Sequence, residues 1–385
     1  MGNQLATPNT TKVTESGTEE DYNWVTSRMP GYRDKMEDFV ISHAFINKMK
    51  LFMVIDGYGG TKCARRTATE YPRYLANSIQ ETGIDLQNEG QVQDLLTTSI
   101  QKFDSELRTD PMLAKSGCCV SGILIAPKTI YIINLGNSGT ILVRNDRTSI
   151  STTAHLPSNP GEKSRIEAAG GKVENRRLDG RLKVSRAIGH FALKESEKHK
   201  LSSKPDVKVI PRKAEEHSYV VMFTDGVTAA MSKDELIYYI DQRLPCKASL
   251  DHLAEEILDY CCHKKSKDNI SFGMIHFHGS SIQPEEDRIK SEREYEDTLR
   301  QMVREYVSST MAMRFPTESN CFERLQLENK DFFEKNDKFH GLGSVLRKQF
   351  IYDEFKKQMD LHLQDRENVR RKKSRNNGNG QGKEE

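Results

Sequence analysis

The sequence predicts an α+β fold built from layers of strands and helices. Between residues 23 and about 280, short apolar segments of strand length alternate with amphipathic segments of helical period. Residues 122–126, 129–135 and 139–144 follow one another as strands joined by turns, which is typical of hairpins. Hairpins mixed with helices favour a layered α+β fold over a doubly wound parallel sheet, because parallel strands need a crossover connection between them.

The first elements of this region lead to a carboxylate. Residues 50–56 predict a strand that ends at Asp56, and a helix follows from near Lys62. Apolar residues recur at helical spacing between residues 96 and 107, which predicts a second helix. The hairpin strands come next along the chain.

The later elements repeat this arrangement. Residues 220–224 predict a buried strand that also ends at a carboxylate. Ser232 and Glu235 form a capping-box pattern, so a helix is expected to begin there. Residues 250–257 place their leucine and isoleucine side chains on one face of a further helix, and residues 270–277 predict the strand that closes the domain.

Composition divides the chain into four parts. They are a polar, flexible N-terminus over residues 1–22, a mixed domain over 23–280, a charge-rich helical appendix over 281–365 and a disordered basic tail over 366–385. Within the appendix, residues 285–307 and 350–363 predict helices.

The composition also limits the classes of protein. Charged residues make up 30% of the 385 and the net charge is +2, so no strong attraction to nucleic acid is expected. The apolar runs have strand length, so we expect no transmembrane segment, and no secretory signal is recognised. The seven cysteines lack CxxC spacing, which favours a reducing compartment, cytoplasmic or nuclear, without disulfides or a zinc site.

The N-terminus nearly matches a myristoylation pattern. It has Gly2 but carries Ala6 where Ser or Thr is preferred. Two interpretations stay open, a disordered start and a lipid anchor, and a single acyl chain would anchor only weakly.

Six short motifs carry the candidate chemistry. In chain order they are residues 33–38 (RDKMED), 56–60 (DGYGG), 136–138 (GNS), 185–190 (SRAIGH), 225–226 (DG) and 268–269 (DN). Asp56, Asp225 and Asp268 each stand at the end of an apolar strand. One such Asp is usually a turn or a helix cap. Several carboxylates brought together repel one another unless a hard cation lies between them, so this pattern predicts a site for Mg²⁺ or Mn²⁺.

The ordered motifs resemble the type 2C family of metal-dependent Ser/Thr protein phosphatases, and the branch most similar is the alpha/beta type. The resemblance implies an α-β-β-α sandwich, in which two antiparallel sheets are flanked by helices, and a C-terminal helical appendix. It also implies a monomer whose partners are phosphorylated proteins.

The resemblance implies a role for each carboxylate. In the family pattern, Asp56 bridges two metal ions (Mg²⁺ or Mn²⁺), and Asp38 supports the residues around them. One ion is bound by the backbone carbonyl of Gly57 and, through a water, by Glu37. The other ion is bound by Asp225 and Asp268.

Two arginines and a tyrosine complete the predicted site. Arg33 is predicted to bind phosphate, because a guanidinium can hold two phosphate oxygens at once. Arg186 matches the family motif and has either a phosphate-binding or a structural role. Tyr58 stands where the family has the His that is thought to protonate the leaving alkoxide. Tyrosine, with a pKa near 10, is a poor acid at neutral pH, and loss of a general acid costs about 10²–10⁴ in rate.

Further positions depart from the family pattern. Asn137 and Ala229 replace two Asp residues that the family associates with a weaker third metal, so that metal site should be weak or absent. Ala154 and His190 replace two more acids, and Cys119 replaces a Thr.

We therefore expect a Mg²⁺- or Mn²⁺-dependent protein Ser/Thr phosphatase that hydrolyses phosphoprotein monoesters with metal-activated water and is attenuated by these changes. A pseudophosphatase that binds phosphoproteins as a scaffold is the alternative. A third possibility is that bound metal only stabilises the fold.

Overall fold

The computed structural model describes residues 4–195, 199–213, 215–310, 316–337 and 343–378. The chain forms two compact units, Met1–Gln283 and Pro284–Glu385. Each unit is described by itself below. Among the described residues, none of the helices combines the length and the apolar character that crossing a membrane requires.

The first unit holds all the described strands. They are β1 (Gln4–Asn9), β2 (Val13–Thr18), β3 (Tyr22–Met29), β4 (Gly31–Arg33), β5 (Phe39–Ile46), β6 (Met49–Tyr58), β7 (Gly117–Ile125), β8 (Thr129–Leu135), β9 (Gly139–Arg144), β10 (Ser149–Ser151), β11 (Val173–Glu174), β12 (Arg177–Leu178), β13 (Ile188–Gly189), β14 (Asp206–Pro211), β15 (His217–Phe223) and β16 (Ile270–Phe277).

The helices of the first unit are α1 (Lys62–Thr82), α2 (Glu89–Leu107), α3 (Pro160–Ala168), α4 (Asp225–Thr228), α5 (Lys233–Arg243) and α6 (Leu250–His263). Those of the second unit are α7 (Glu286–Thr310), α8 (Glu318–Glu328), α9 (Lys330–Asp337) and α10 (Gly343–Gly378). The capping box of Ser232 and Glu235 is present at the start of α5.

Two antiparallel sheets form the centre of the first unit. One has the strand order β10-β9-β15-β16-β3-β2, and the other has the order β14-β8-β7-β6-β5, with β13 paired to β7. Helix α6 packs on β3 and β16 of the first sheet, while α1 and α2 pack on the second sheet. The predicted α-β-β-α sandwich is confirmed.

Strand β6 shows why the sequence folds into two layers. Leu51, Met53 and Ile55 point into the core beneath α1 and α2. Phe52 and Val54 point the other way, into the core between the two sheets. Because successive side chains of a strand face opposite sides, a strand covered on both faces has an unbroken apolar run. This run ends at Asp56, where the strand reaches the edge of the packed layers.

The second unit has its own core. Apolar residues of α7, α8 and α10 form it with Phe333 of α9, namely Leu299, Val303, Tyr306, Val307, Cys321, Leu325, Ile351 and Phe355. Because four helices share this core, the charge-rich predicted appendix is a packed helical unit.

The two ends of the chain differ from the prediction. Residues 4–9 and 13–18 form strands, of which β1 pairs with β4 and β2 with β3, although a flexible start was expected. Most of their side chains are exposed, so backbone hydrogen bonds hold them in place and apolar patterning gives no sign of them. At the other end, α10 continues to residue 378, through the first part of the predicted disordered tail. Residues 379–385 of that predicted tail lie outside the described residues.

Candidate functional site

A cavity of about 480 Å³ collects most of the predicted site residues. Its acidic lining residues are Asp34, Glu37, Asp56, Asp225 and Asp268, and its basic ones are Arg33, Lys35, Arg177, Arg181 and Lys183. Gly57, Tyr58, Cys119 and Asn137 also line it. Five acidic and five basic side chains therefore share one opening.

The sheet topology brings two of the aspartates together. Strands β15 and β16 are antiparallel neighbours in which Phe223 lies opposite Phe272. Asp225 comes two residues after the end of β15, and Asp268 comes two residues before the start of β16. Since neighbouring antiparallel strands begin and end at the same edge of a sheet, both carboxylates are delivered to that edge. Asp56, near the end of β6 in the other sheet, lines the same cavity.

Asp56 is the carboxylate with the least support from the rest of the chain. No hydrogen bond or ion pair to its side chain is found among the described residues. Burial raises its pKa well above the ordinary value, and repulsion from Asp225, Asp38 and Asp268 raises it further. An acidic group held in this way favours either a proton or a cation beside it.

Asp225 has one hydrogen-bond donor and one ion-pair neighbour. Its Oδ2 accepts a hydrogen bond of 2.8 Å from the Asn137 side-chain amide and lies 3.9 Å from the Lys183 ammonium. Burial and the charge of Asp268 nevertheless raise its pKa. The Asn137 Oδ1 is buried and has no hydrogen-bond partner among the described residues. Ala229, which follows α4, does not line the cavity.

Arg33 is tied to the third aspartate. Its Nη2 lies 3.0 and 3.1 Å from the two carboxylate oxygens of Asp268, and its Nε donates to the Lys267 carbonyl at 2.9 Å. Its Nη1 has no partner among the described residues. The side chain is 23% exposed and lines the cavity, so Nη1 remains available to an anion there.

Glu37 and Asp38 have different surroundings. The Glu37 side chain lines the cavity and accepts a hydrogen bond of 2.7 Å from the backbone N–H of Gly60. Asp38 is buried outside the cavity lining, where its Oδ2 accepts hydrogen bonds from the hydroxyls of Thr224 and Ser271 at 3.0 and 2.7 Å. Burial raises the pKa of Asp38 to about 7. Asp38 therefore joins three segments behind the site.

Gly57 allows the close approach of the two acidic segments. A Cβ atom at this position would overlap the Glu37 carbonyl oxygen and crowd the Ala64 side chain. Any larger residue here would separate the segment that carries Glu37 from strand β6.

The Tyr58 hydroxyl points away from the cavity chemistry. It is buried beside Gly117, where even a Cβ atom would meet it, and it has no hydrogen-bond partner among the described residues. The ring lies 5.6 Å from that of His190, centroid to centroid. Burial raises the Tyr58 pKa well above its ordinary value, and neighbouring Cys119 adds to the shift. Neither the position nor the acidity of this hydroxyl favours proton donation to a leaving group in the cavity.

Arg186 is a structural residue outside the cavity lining. Its guanidinium donates to Glu162 at 2.7 and 3.0 Å, to Asp206 at 2.8 Å and to the Lys204 carbonyl at 3.0 Å. These bonds use all three of its donor nitrogens. The prediction that Arg186 binds phosphate is therefore not supported, and its alternative structural role is the one the contacts favour.

Sequence reasoning missed three basic residues of the lining, Arg177, Arg181 and Lys183. They lie within the segment 176–183, which carries four basic residues in eight. That density was a signal, but it does not indicate which side chains turn toward the acidic residues. Asn137 was predicted only as a lost ligand, whereas its amide bonds Asp225.

The donor atoms that line the cavity are of the types that bind a hard divalent cation. Carboxylate oxygens and the unpartnered Asn137 Oδ1 are the ligands that Mg²⁺ and Mn²⁺ prefer. The described arrangement is not a finished ligand set, since among the described residues no three Asp, Glu, His or Cys side chains stand close enough to hold one ion. Asp268 is instead paired with Arg33, and Asp225 with Asn137.

Comparisons with known proteins agree with one another. The family model described as Protein phosphatase 2C matches residues 22–270. Protein phosphatase 1B of Homo sapiens is 30% identical over 350 residues, which cover 86% of this chain and 72% of that protein. Protein phosphatase 1B of Rattus norvegicus is 30% identical over 349 residues, which cover 86% of this chain and 89% of that protein.

A solved structure shows the same fold. A phosphatase from Toxoplasma gondii aligns with a TM-score of 0.60 at 21% identity, covering 71% of this chain and 97% of that one. The family match spans the residues that carry the cavity, and the ordered motifs lie inside it. This chain belongs to the protein phosphatase 2C family.

Proposed function

We propose that this protein is a Mg²⁺- or Mn²⁺-dependent protein Ser/Thr phosphatase whose activity is attenuated. One observation supports this most directly. Asp56, Asp225 and Asp268 line the same cavity as Arg33, and mutual repulsion contributes to the raised pKa of Asp56 and Asp225. A fold that keeps like charges together in this way loses stability unless a cation binds there.

The chain's own residues divide the work. Asp56, Asp225 and Asp268 would hold the cations, with Glu37 and the Gly57 carbonyl at the margin and Asp38 fixing the strand ends behind them. When bound, such ions supply a water activated for attack and neutralise phosphate charge. Arg33 would orient the phosphate through Nη1, because its other nitrogens hold it against the Lys267–Asp268 segment.

The attenuation follows from the tyrosine. Tyr58 replaces the His that the family uses as a proton donor. Because its hydroxyl is buried, Tyr58 brings no proton to the leaving oxygen. Good leaving groups need little protonation, so the rate loss should be smaller for an aryl phosphate than for a phosphothreonine peptide.

The test uses the purified chain with Mn²⁺ on an aryl phosphate and on a phosphothreonine peptide, with Asp225→Ala as the control. We expect hydrolysis of the aryl phosphate that the control lacks. Calorimetry should show Mn²⁺ binding to the wild type that weakens in the control. If millimolar Mn²⁺ and Mg²⁺ bind neither protein, the proposal is wrong.

A pseudophosphatase is the second candidate, and one observation favours it. The Arg33 guanidinium already contacts Asp268, and the Asn137 amide already donates to Asp225. A cation that binds these carboxylates must displace those two groups. If the protein is a pseudophosphatase, wild type and Asp225→Ala would be equally inactive on both substrates. A phosphothreonine peptide would still bind in a fluorescence anisotropy measurement.

A further inference from the structure

We propose that the basic wall of the cavity, defined as Arg177 and Arg181 on the hairpin β11–β12 and the turn after it, binds a second anionic group of the substrate beside the phosphorylated residue. This proposal rests on the proposed function for the identity of the first phosphate. It goes further by naming the substrate class: phosphoproteins whose phosphorylated residue is flanked by an acidic side chain or by another phosphate.

The basic wall is preformed. The Arg177 Nη1 donates to the Arg181 carbonyl at 2.9 Å, which fixes one guanidinium against the backbone of the other residue. Leu178 and Leu182 exchange backbone hydrogen bonds of 2.8 and 3.1 Å, closing the turn between them. The Leu178 side chain is buried in a small core with Ile166, so the hairpin is anchored to the domain beneath it.

No ion pair joins Arg177 or Arg181 to any of the described residues. Glu174 lies opposite Arg177 in the hairpin but is not within ion-pair distance of it. The acidic residue between them is engaged elsewhere: Asp179 accepts the Lys172 backbone N–H at 2.8 Å and pairs with Lys200 at 3.2 Å. Asp179 does not line the cavity, whereas both arginines do. The hairpin therefore presents net positive charge to the opening.

Ion pairing distinguishes this wall from the acidic side of the cavity. Lys183, the third basic residue of this segment, lies 3.9 Å from Asp225 and so belongs electrostatically to the acidic side. Arg33 is tied to Asp268 on that same side. Arg177 and Arg181 have no such carboxylate partner, so the anion that fits them must come with the substrate. Guanidinium groups suit both carboxylate and phosphate, since they offer parallel N–H donors to two oxygens.

The experiment compares phosphothreonine peptides that differ only in the neighbouring residues. One series carries flanking Gln, one Glu, one Arg, and one a non-hydrolysable phosphonate in place of a second phosphate. The full chain with Mn²⁺ is assayed on each peptide at low and high salt, and on an aryl phosphate, which has no flanking group. The double variant Arg177→Gln/Arg181→Gln is compared with Arg73→Gln, an exposed arginine on α1 that is outside the cavity lining.

We expect wild type and Arg73→Gln to prefer the Glu or phosphonate peptide over the Gln peptide in kcat/KM. Removing the wall arginines should reduce this preference about two- to fivefold per arginine, through KM and not kcat, as exposed charge pairs allow. High salt should reduce it in the wild type as well. Activity on the aryl phosphate should be unchanged in Arg73→Gln, and the double variant should lose less activity on the aryl phosphate than on the Glu peptide.

Equal kcat/KM for the Glu, phosphonate and Gln peptides in the wild type would overturn the proposal, as would a preference that survives in the double variant. A preference in kcat/KM for the phosphonate peptide alone would mean that the wall binds a second phosphate. A preference for both the phosphonate and the Glu peptide would mean that it binds acidic groups in general. If the aryl phosphate is not hydrolysed, the proposed function fails by itself. The same peptides are then compared by anisotropy, where equal affinities for the Glu, phosphonate and Gln series overturn this inference separately.

Discussion

Two groups of carboxylates in the first unit have opposite electrostatic surroundings. In the cavity, burial and neighbouring negative charges raise the pKa of Asp56 and Asp225. In the network around Arg186, burial pushes the pKa of Glu162 up, but the hydrogen bonds and charges of its arginine neighbours outweigh it and lower the pKa to about 2. Hydrogen bonding from His155, with help from Arg186, lowers the pKa of Asp206 to about 2 as well.

The difference separates side chains that stabilise the fold from side chains that destabilise it. Glu162 contacts Arg186 at 2.7 Å and Arg165 at 2.8 Å, so its charge is matched on folding. Asp56 has no such partner among the described residues, so its charge costs free energy on folding. A cost of this kind persists at functional sites, where a bound ion or substrate repays it. Three substitutions, which give four predictions, test whether this distinction holds.

The largest effect is expected on activity from Asp56→Asn. The change keeps the shape of the side chain but removes the charge that we assign to cation binding. We expect Mn²⁺-dependent hydrolysis of an aryl phosphate to fall by about 10²–10³, the range found when one electrostatic contact to a transition state is removed. Initial rates at saturating Mn²⁺ measure this, and an unchanged rate would remove Asp56 from the metal site.

The next effect is a loss of stability in Glu162→Gln. This change leaves the Arg186 and Arg165 charges without their carboxylate, and urea unfolding at pH 7 should show a loss of about 2–3 kcal/mol. Because the pKa of Glu162 is depressed, its contribution is present above the ordinary pKa near 4.5 and disappears as the pH falls toward 2. The difference in the free energy of unfolding between wild type and Glu162→Gln should therefore shrink below pH 4.5. A difference that is constant from pH 7 to pH 3 would show that charge is not its cause.

A smaller effect of opposite sign is expected from Asp56→Asn on stability. In the presence of a chelator the variant should be more stable than the wild type, by about 0.5–2 kcal/mol at pH 7.5. Added Mn²⁺ should stabilise the wild type and leave the variant unchanged. Thermal unfolding measures both, and a destabilised variant in chelator would mean that Asp56 has a stabilising partner after all.

The smallest effect is expected from Tyr58→Phe. Removing a buried hydroxyl that has no described partner should leave stability unchanged or raise it by about 1 kcal/mol. Hydrolysis of the aryl phosphate and of the phosphothreonine peptide should both stay within twofold of wild type. A loss on the peptide alone would show that the hydroxyl donates the proton after all.

The sequence was enough to predict the carboxylate side of the site. Asp56 follows the apolar run of a strand that is covered on both faces, and Asp225 follows a second buried strand, so local pattern located both. The two sheets could be predicted from hairpins and from the family resemblance. What local pattern cannot show is which distant side chains meet. Arg186 pairs with Glu162, 24 residues away, and no periodicity indicates that contact.

The remaining misses have the same physical origin. The Tyr58 hydroxyl lies where it does because Gly117, on the neighbouring strand β7, has no side chain to fill that space. Strands β1 and β2 are held by backbone pairing with exposed side chains, so hydrophobic patterning gives no indication of them. The turning of Arg177 and Arg181 toward the cavity depends on tertiary packing of the hairpin.

The pairing of β1 with β4 has a practical consequence for handling this protein. Gln4 lies opposite Arg33 in that pair, so the first described residue is a backbone neighbour of a residue that lines the opening. A polyhistidine tag fused at this end would add a competing metal chelator close in sequence to the strand that pairs with β4. Recombinant protein intended for metal titration should therefore be tagged elsewhere or cleaved first.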